Sequence, residues 1–299
     1  MKSRFGVLVF IVASVQLSAQ THTEKITREL SFEKKSVDNA LIIANINGDV
    51  KVVGYAGDKI LVEVNKSINA KTADRLEKGK TDIKLGVLDL ADTIILYVDG
   101  ICGGFGKQDN RDNKGVARSA RNWGYNWNKG CNDCNEAYDY KFDFVVRIPS
   151  ALHLSVSTIN DGDIVVENVD GVVVARNING SIRLQNLMRE SDASTINGNV
   201  DVEYERNPLK DCRYYSLNGD INAWFQRGLS ASMSFESFNG SFYTNIDRLE
   251  SLPVQVEKKD MKEGVKYKVN GNRYKVGAGG ANLDFETFNG NVYLKEKLN

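Results

Sequence analysis

Apolar and polar residues alternate in short runs along most of the chain, and glycine separates many of these runs. Ser181-Ile182-Arg183-Leu184 and Asn199-Val200-Asp201-Val202-Glu203 are typical. An alternation with a period of two places one face of a β-strand in a core and the other in water. The pattern therefore predicts an all-β protein built from short strands that each bury one face.

An Asn-Gly turn precedes these runs and recurs at a nearly constant interval. Five consecutive copies have their glycines at positions 162, 180, 198, 219 and 240, so the steps are 18, 18, 21 and 21 residues. A fixed period near 20 residues is typical of stacked repeats. Two further copies lie towards the two ends of the chain. The residues of all seven turns are Asn47, Gly48, Asn160, Gly162, Asn179, Gly180, Asn197, Gly198, Asn218, Gly219, Asn239, Gly240, Asn289 and Gly290.

Two architectures fit Asn-Gly turns between alternating runs. Asn-Gly is the strongest short hairpin signal, so an antiparallel meander is the first. The second is a parallel β-solenoid. The repetition favours it, because the same Asn-Gly turn and alternating run recur in the same chain direction. We predict this solenoid, with coils of about 18–21 residues and a hydrogen-bonded ladder of stacked turn asparagines. The residues expected to stack inside are Ile164, Ile182, Val200, Ile221 and Phe242.

The order of segments predicts an exported protein with one domain. Residues 1–20 have the pattern of a secretory signal peptide, with two basic residues, an apolar run and then small residues. The apolar run is too short to span a bilayer comfortably, and an uncleaved anchor is the alternative. Residues 21–299 then form a single β-solenoid domain, with insertions at about 99–139 and 247–275.

One segment is expected to be helical, and the charge of the chain is balanced. Residues 71–80 predict a short exposed helix with Ala73 and Leu76 on its inner side. The chain carries 39 basic and 39 acidic residues. It has no basic patch of the kind that nucleic-acid binding requires, so we expect no nucleic-acid partner. Contact with the membrane is expected only through the signal peptide before cleavage.

The four cysteines are disulfide candidates, since an exported chain lies in an oxidising compartment. Cys102, Cys131 and Cys134 lie in the first insertion, and Cys212 lies in the regular block. The most economical pairing links Cys102 to Cys131 or Cys134, and the remaining cysteine of the insertion to Cys212. Cys131 and Cys134 are also spaced as a redox pair or half a zinc site, although a second ligand pair for zinc is missing from the sequence.

Few side chains are candidates for catalysis, and we expect no catalytic, cofactor-binding or metal-binding residues. His22 and His153 are the two histidines, so a Ser-His-Asp triad is poorly supplied. Parallel solenoids also include polysaccharide-cleaving enzymes with clustered carboxylates, which is the enzymatic alternative. The acidic residues at or beside turns are Asp49, Asp163, Asp170 and Asp220, where aspartate is favoured for backbone reasons.

The first insertion contains aromatic residues interleaved with asparagine and glycine. Trp123, Tyr125 and Trp127 are its candidate ligand-binding residues, because aromatic anchors dominate binding interfaces. The alternative is that the loop folds these rings onto the flank of the domain.

Four features of the sequence together resemble a bacterial domain family called "putative adhesin". They are a strand that ends at Arg147-Ile148-Pro149, the repeated Asn-Gly turns, the segment Gly277-Ala278-Gly279-Gly280, and the terminal Thr287-Phe288-Asn289-Gly290. The resemblance covers about residues 28–98 and 141–297. It implies a β-solenoid in an exported protein of the cell envelope. On this basis we expect a non-catalytic protein of the periplasm, the cell surface or the medium.

Such a protein would bind a surface glycan or an envelope protein. The alternatives are a carbohydrate-active enzyme on a β-helix and an envelope protein with a structural or sensing role. The sequence predicts no particular oligomeric state.

Overall fold

A computed structural model describes residues 20–100, 104–105, 125–126, 137–261, 264–270 and 272–297. Nearly all the predicted signal peptide, Cys102, Cys131, Cys134, Trp123 and Trp127 lie outside these residues. The elements in chain order are β1 (Gln20–Leu30), β2 (Ala40–Ala44), β3 (Val50–Tyr55), β4 (Ile60–Ala70), α1 (Ala73–Asp82), β5 (Lys84–Asp89), β6 (Thr93–Asp99), β7 (Gly104–Phe105), β8 (Tyr125–Asn126), β9 (Tyr138–Pro149), β10 (His153–Ser157), β11 (Ile164–Glu167), β12 (Val173–Arg176), β13 (Ile182–Leu187), β14 (Ser191–Asn197), β15 (Val200–Tyr204), β16 (Cys212–Asn218), β17 (Ile221–Phe225), β18 (Ala231–Asn239), β19 (Phe242–Thr244), β20 (Leu249–Ser251), β21 (Gln255–Met261), β22 (Gly264–Asn270), β23 (Arg273–Val276), β24 (Ala281–Asn289) and β25 (Val292–Glu296).

Two large sheets contain most of these strands. Sheet A has the order β1-β4-β9-β3-β11-β13-β15-β17-β25-β19, and sheet B has the order β20-β23-β18-β24-β16-β14-β12-β10-β2-β6-β5. Pairing is parallel from β9 to β19 in sheet A and from β6 to β18 in sheet B. The protein is therefore all-β with two mostly parallel sheets. Two small antiparallel pairs, β7 with β8 and β21 with β22, stand apart from them.

The chain alternates between the sheets from β10 to β19, with even-numbered strands in sheet B and odd-numbered strands in sheet A. We call a sheet B strand, its Asn-Gly turn and the following sheet A strand a repeat. The repeat β2–β3 lies beside β10–β11. The repeat β24–β25 lies between β16–β17 and β18–β19, since β24 pairs in register with both neighbours. This order differs from the order along the chain, in which the next turn after Asn218 is that of Asn239.

The core lies between the two sheets and is filled by the inward residues of each repeat. Ile164, Ile182, Val200 and Ile221 have no exposed surface, which confirms their inward placement. Phe242, the fifth residue of this series, is only partly buried. The reason is that it lies on β19, the last strand of sheet A.

Antiparallel strands complete three of the four sheet ends. β4 and β1 extend sheet A beyond β9, and β5 extends sheet B beyond β6. At the other end of sheet B, β23 and β20 from the second insertion follow β18. Among the described residues, no helix has the length and apolar character that crossing a bilayer requires.

The predicted helix is present as α1, shifted by two residues. Thr72 caps its first turn, because the hydroxyl accepts a hydrogen bond from the Arg75 amide. Leu76 packs against the core as predicted. Ala73 is exposed, so its predicted inward placement was wrong. Gly79 is the buried residue of the helix, and it lies so close to Ile68 and Tyr138 that a β-carbon there would be about 2.9 Å from each.

Candidate functional site

The turn asparagines form a continuous ladder along one edge of the molecule. Each side-chain amide donates to the side-chain oxygen of the asparagine in the preceding repeat, at N–O distances from 2.8 to 3.4 Å. The ladder confirms the predicted stacking and gives these residues a structural role. Its order along the edge is Asn47, Asn160, Asn179, Asn197, Asn218, Asn289 and Asn239.

A second set of hydrogen bonds, absent from the sequence prediction, lies just inside the ladder. In every repeat after the first, the residue two positions before the turn asparagine donates its side chain to the glycine carbonyl of the preceding repeat. Thr195 Oγ1 contacts the Gly180 carbonyl at 2.8 Å, and Ser216 Oγ contacts the Gly198 carbonyl at 2.8 Å. The signal in the sequence was the Ser, Thr or Asn that always stands at this position.

The acidic residues that follow the turn glycines are also structural. Asp49 Oδ1 accepts a hydrogen bond from the Asp163 amide at 2.8 Å, and Asp163 Oδ1 accepts one from the Ser181 amide at 2.7 Å. Asp220 Oδ1 accepts one from the Asn291 amide at 2.7 Å. Asp170 lies away from them, at the opposite edge. Within the described residues, no group of three His, Cys, Asp or Glu side chains could hold a metal ion.

Cys212 is a free thiol in the core, 3% exposed, so the expected disulfide through this residue is not formed here. The physical reason is its position on β16, where it faces inward together with Tyr214. Its sulfur lies 3.3 Å from the Tyr204 hydroxyl. Burial raises the pKa of the Cys212 thiol. The hydroxyls of Tyr204, Tyr214 and Ser191 bond to one another at 2.7 to 2.9 Å, which satisfies this buried polar cluster.

His153 also has a structural partner. Its Nδ1 accepts a hydrogen bond from the Val172 amide at 3.0 Å, at the edge opposite the asparagine ladder. Burial, together with the positive charge of Arg189, lowers the pKa of His153. The lowered pKa favours the neutral ring, which is half-buried.

Three adjacent strands of sheet A carry aromatic side chains on the outer surface of the sheet. Trp224 extends outward from β17, Tyr293 from β25 and Tyr243 from β19. The rings of Tyr243 and Tyr293 stack with centroids 5.0 Å apart and an interplanar angle of 11°. Lys295 Nζ lies 5.8 Å from the centroid of the Tyr293 ring. We call Trp224, Tyr243, Tyr293 and Lys295 the aromatic face.

A shallow cavity of about 370 Å³ adjoins the aromatic face at Trp224. Its polar lining consists of ion pairs and amides held by the sheet. Lys297 Nζ lies 2.7 Å from Glu203 Oε1, and Arg183 Nε lies 3.7 Å from Asp201 Oδ2. Asn222 lies outside the lining and donates through its side-chain amide to Asp201 Oδ1 at 2.8 Å. An aromatic wall beside fixed donors and acceptors is the usual composition of a small-ligand site.

The sequence analysis did not identify the aromatic face. The available signal was the alternation Ile221-Asn222-Ala223-Trp224, which places a tryptophan on the outer side of a strand. The ligand-binding residues that were predicted instead lie in the first insertion. Of these, Tyr125 belongs to β8 and pairs with Phe105 of β7, while Trp123 and Trp127 lie outside the described residues.

A larger cavity, of about 740 Å³, lies at the other end of the molecule. Phe32, Val37 and Leu152 form its apolar wall. The Asn39 side chain is buried beside it, and its Oδ1 has no hydrogen-bond partner among the described residues. This cavity lacks an aromatic row, and its orphan oxygen would be satisfied by a single water molecule.

No protein-family model and no curated protein matches the chain. Solved structures that align with it include a "putative cell adhesion protein" from Clostridium sporogenes, with 10% identity and a TM-score of 0.43 over 92% of this chain and 100% of that one. Another is a "putative adhesin" from Bacteroides fragilis, with 13% identity and a TM-score of 0.36 over 92% of this chain and 97% of that one. Likeness at this level carries no functional argument.

Proposed function

We propose that the protein is a non-catalytic component of the cell envelope that binds a surface glycan through the aromatic face. The observation that carries this proposal is the position of Trp224 between the stacked tyrosines and the ion-paired cavity. The flat face of a sugar ring packs against an aromatic ring, and its hydroxyls both donate and accept hydrogen bonds. The predicted signal peptide supports export.

The proposed architecture is a parallel β-solenoid with two strands per coil. It is supported by the alternation of successive strands between the sheets and by the unbroken asparagine ladder. A solenoid of this kind is a rigid support, because each repeat is bonded to its neighbours along its whole length. The outer surface of sheet A can then display side chains at fixed spacing without a conformational change on binding.

The geometry beside Trp224 favours binding over polysaccharide cleavage. Cleavage of a glycosidic bond needs one carboxyl group as an acid and a second as a base or nucleophile. Asp201 and Glu203 are each in an ion pair and partly exposed, with 23% and 33% of their side chains accessible. Neither lies in an apolar pocket of the kind that keeps a carboxyl group protonated.

The test is a glycan-array screen of residues 21–299, followed by titration of the strongest ligand against variants. We expect Trp224→Ala to weaken binding at least tenfold, or about 1.4 kcal/mol. Tyr215→Ala is the matched control, because it removes an outward aromatic ring from sheet B and should leave binding unchanged. Equal affinity of the Trp224→Ala variant, or release of reducing sugar from the ligand, would contradict the proposal.

A further inference from the structure

In the last repeat of the stack, β18–β19, the turn and β19 are uncovered on one side among the described residues, whereas Ala231 to Ser234 of β18 pair with β23. In sheet A, β19 pairs with β25 and has no further neighbour among the described strands. The exposure of its residues reflects this position. Ser237 is exposed, whereas its equivalent Ser216 in the middle of the stack has no accessible surface. Phe238 is 74% exposed, and its equivalent Ile178 is 37% exposed.

Backbone groups that are paired in the other Asn-Gly turns are open here. In the stack, the amides of Gly48, Gly180, Gly198, Gly219 and Gly290 each donate to the asparagine carbonyl of the next repeat, as Gly219 does to Asn289 at 2.9 Å. The first inward residue donates in the same direction, as Ile182 does to Asn199 at 2.9 Å. The amides of Gly240 and Phe242 occupy these positions in the last repeat and find no such acceptor among the described residues.

Within the part of the chain that the structure describes, further polar groups at the same turn are open as well. Asn239 Nδ2 donates to Asn289 Oδ1 at 2.9 Å, so its own oxygen is the free end of the ladder. The Gly240 carbonyl corresponds to that of Gly180, which accepts the Thr195 hydroxyl at 2.8 Å. The Ser241 hydroxyl corresponds to that of Ser181, which accepts from the Asn199 amide at 3.2 Å. The equivalent groups elsewhere in the stack therefore show which hydrogen-bond donor each open group of this turn would accept.

We propose that an extended segment of a partner protein adds to β19 as the next parallel strand and carries its own Asn-Gly turn. Its asparagine amide would donate to Asn239 Oδ1, and a Ser or Thr two residues earlier would donate to the Gly240 carbonyl. Its turn residue after asparagine must be glycine, since a β-carbon at the equivalent Gly198 would lie 2.3 Å from the Gly180 carbonyl. Strand addition to an open edge is an established mode of peptide recognition.

An apolar residue before the partner's asparagine would continue an existing column. The rings of Phe238 and Phe288 stack with centroids 4.8 Å apart and an interplanar angle of 5°. A side chain on the outer side of Phe238 would cover its exposed face. This apolar contact adds hydrophobic stabilisation to the backbone and ladder bonds.

A second copy of this chain does not supply the required segment. The opposite end of the asparagine row is closed by β9, because the Phe142 amide donates to the Asn47 carbonyl at 2.8 Å. The Asn45 side chain in turn donates to the Phe142 carbonyl at 2.9 Å. Copies therefore cannot continue one another's ladder from end to end, and the occupant is a different polypeptide that carries the turn sequence.

The test uses a synthetic peptide with the sequence of residues 195–204 of this chain, because its Asn199 amide already bonds to a serine in the equivalent position. The peptide begins after the positions that would meet β23, which pairs with β18 as far as Ser234. We expect 1:1 binding with new protection of the Gly240 and Phe242 amides from hydrogen exchange. The same peptide with Gly198→Val should bind at least tenfold more weakly. In the protein, Phe238→Lys should weaken binding at least fivefold, while Ile178→Lys, in the same column, should have no effect.

A second pair of variants addresses the backbone directly. By the alternation along β19, the Thr244 amide faces the open side, so Thr244→Pro removes a donor to the partner. Thr244→Ala retains that amide and should bind normally. The proposal is overturned if the peptide binds equally to the Phe238→Lys and Thr244→Pro variants, or if the native chain is a stable dimer that Phe238→Lys dissociates. Trp224→Ala should leave peptide binding unchanged, which separates this proposal from glycan binding.

Discussion

The two edges of the stack are built in different ways. At the Asn-Gly edge, the repeats use the same kinds of side-chain bond to their neighbours throughout the stack. At the opposite edge, the connecting segments are 168–172, 188–190, 205–211 and 226–230, which differ in sequence and vary in length from three to seven residues. The extra residues of the longer repeats are therefore accommodated mainly at the opposite edge.

Contacts at the opposite edge are individual rather than repeated. The Asn207 side chain bonds to the backbone amide and carbonyl of Gln226 at 2.8 and 2.9 Å. Asn186 donates to Asn168 at 2.9 Å, and the tyrosine cluster around Cys212 occurs once. Close backbone approach recurs from repeat to repeat at the Asn-Gly edge, whereas at the opposite edge it occurs at individual positions such as Gly171, where a β-carbon would lie 2.1 Å from the Leu152 carbonyl.

The strongest test of the difference between the two edges is to replace one glycine by alanine at each edge. Gly198→Ala would place a β-carbon 2.3 Å from the Gly180 carbonyl, so the repeats must separate. We expect a loss of about 4 kcal/mol or more in the free energy of unfolding. Gly228, at the opposite edge, has φ +86°, and no atom lies within 4 Å of the position that a β-carbon would take there. Gly228→Ala should therefore cost only about 1 kcal/mol. Urea denaturation measures both, and equal losses would contradict the distinction between the edges.

A smaller effect is expected from shortening the ladder. Asn197→Ala removes two bonds, to Asn179 and from Asn218. Asn239→Ala removes the single bond to Asn289. At about 1 kcal/mol for each net hydrogen bond, we expect losses of about 2 and about 1 kcal/mol. Thermal unfolding of both variants is the measurement. If the end variant is the less stable of the two, the ladder does not act as a chain of equivalent bonds.

The difference between the edges also explains how much of the fold could be predicted. The turn ladder and the inward positions of Ile182 and Val200 follow from a repeated local rule. The order of the repeats in the stack does not follow from such a rule, because similar turn sequences do not specify which repeats become neighbours. The position of Asn289 between Asn218 and Asn239 could therefore not be predicted from the sequence.

The residues of the proposed binding site were less predictable than the fold. Outward residues such as Trp224 and Tyr293 obey no periodic rule, and they come together only because distant strands are neighbours in sheet A. Cys212 is instructive in another way. It alternates with Tyr214 and Ser216, which are both inward, so its burial could have been predicted from the period of two.

The smallest expected effect distinguishes the opposite edge by its response to pH. His153 accepts the Val172 amide through Nδ1, and its pKa in the folded protein lies below the usual 6.5. As the pH falls through about 6.5, the unfolded chain binds a proton that the folded protein does not, so stability decreases. We expect His153→Gln to lose this decrease when unfolding is measured between pH 7.5 and pH 5. His22→Gln is the matched control and should retain the wild-type pH dependence. If the wild-type and His153→Gln proteins lose stability in parallel, His153 does not link the opposite edge to pH.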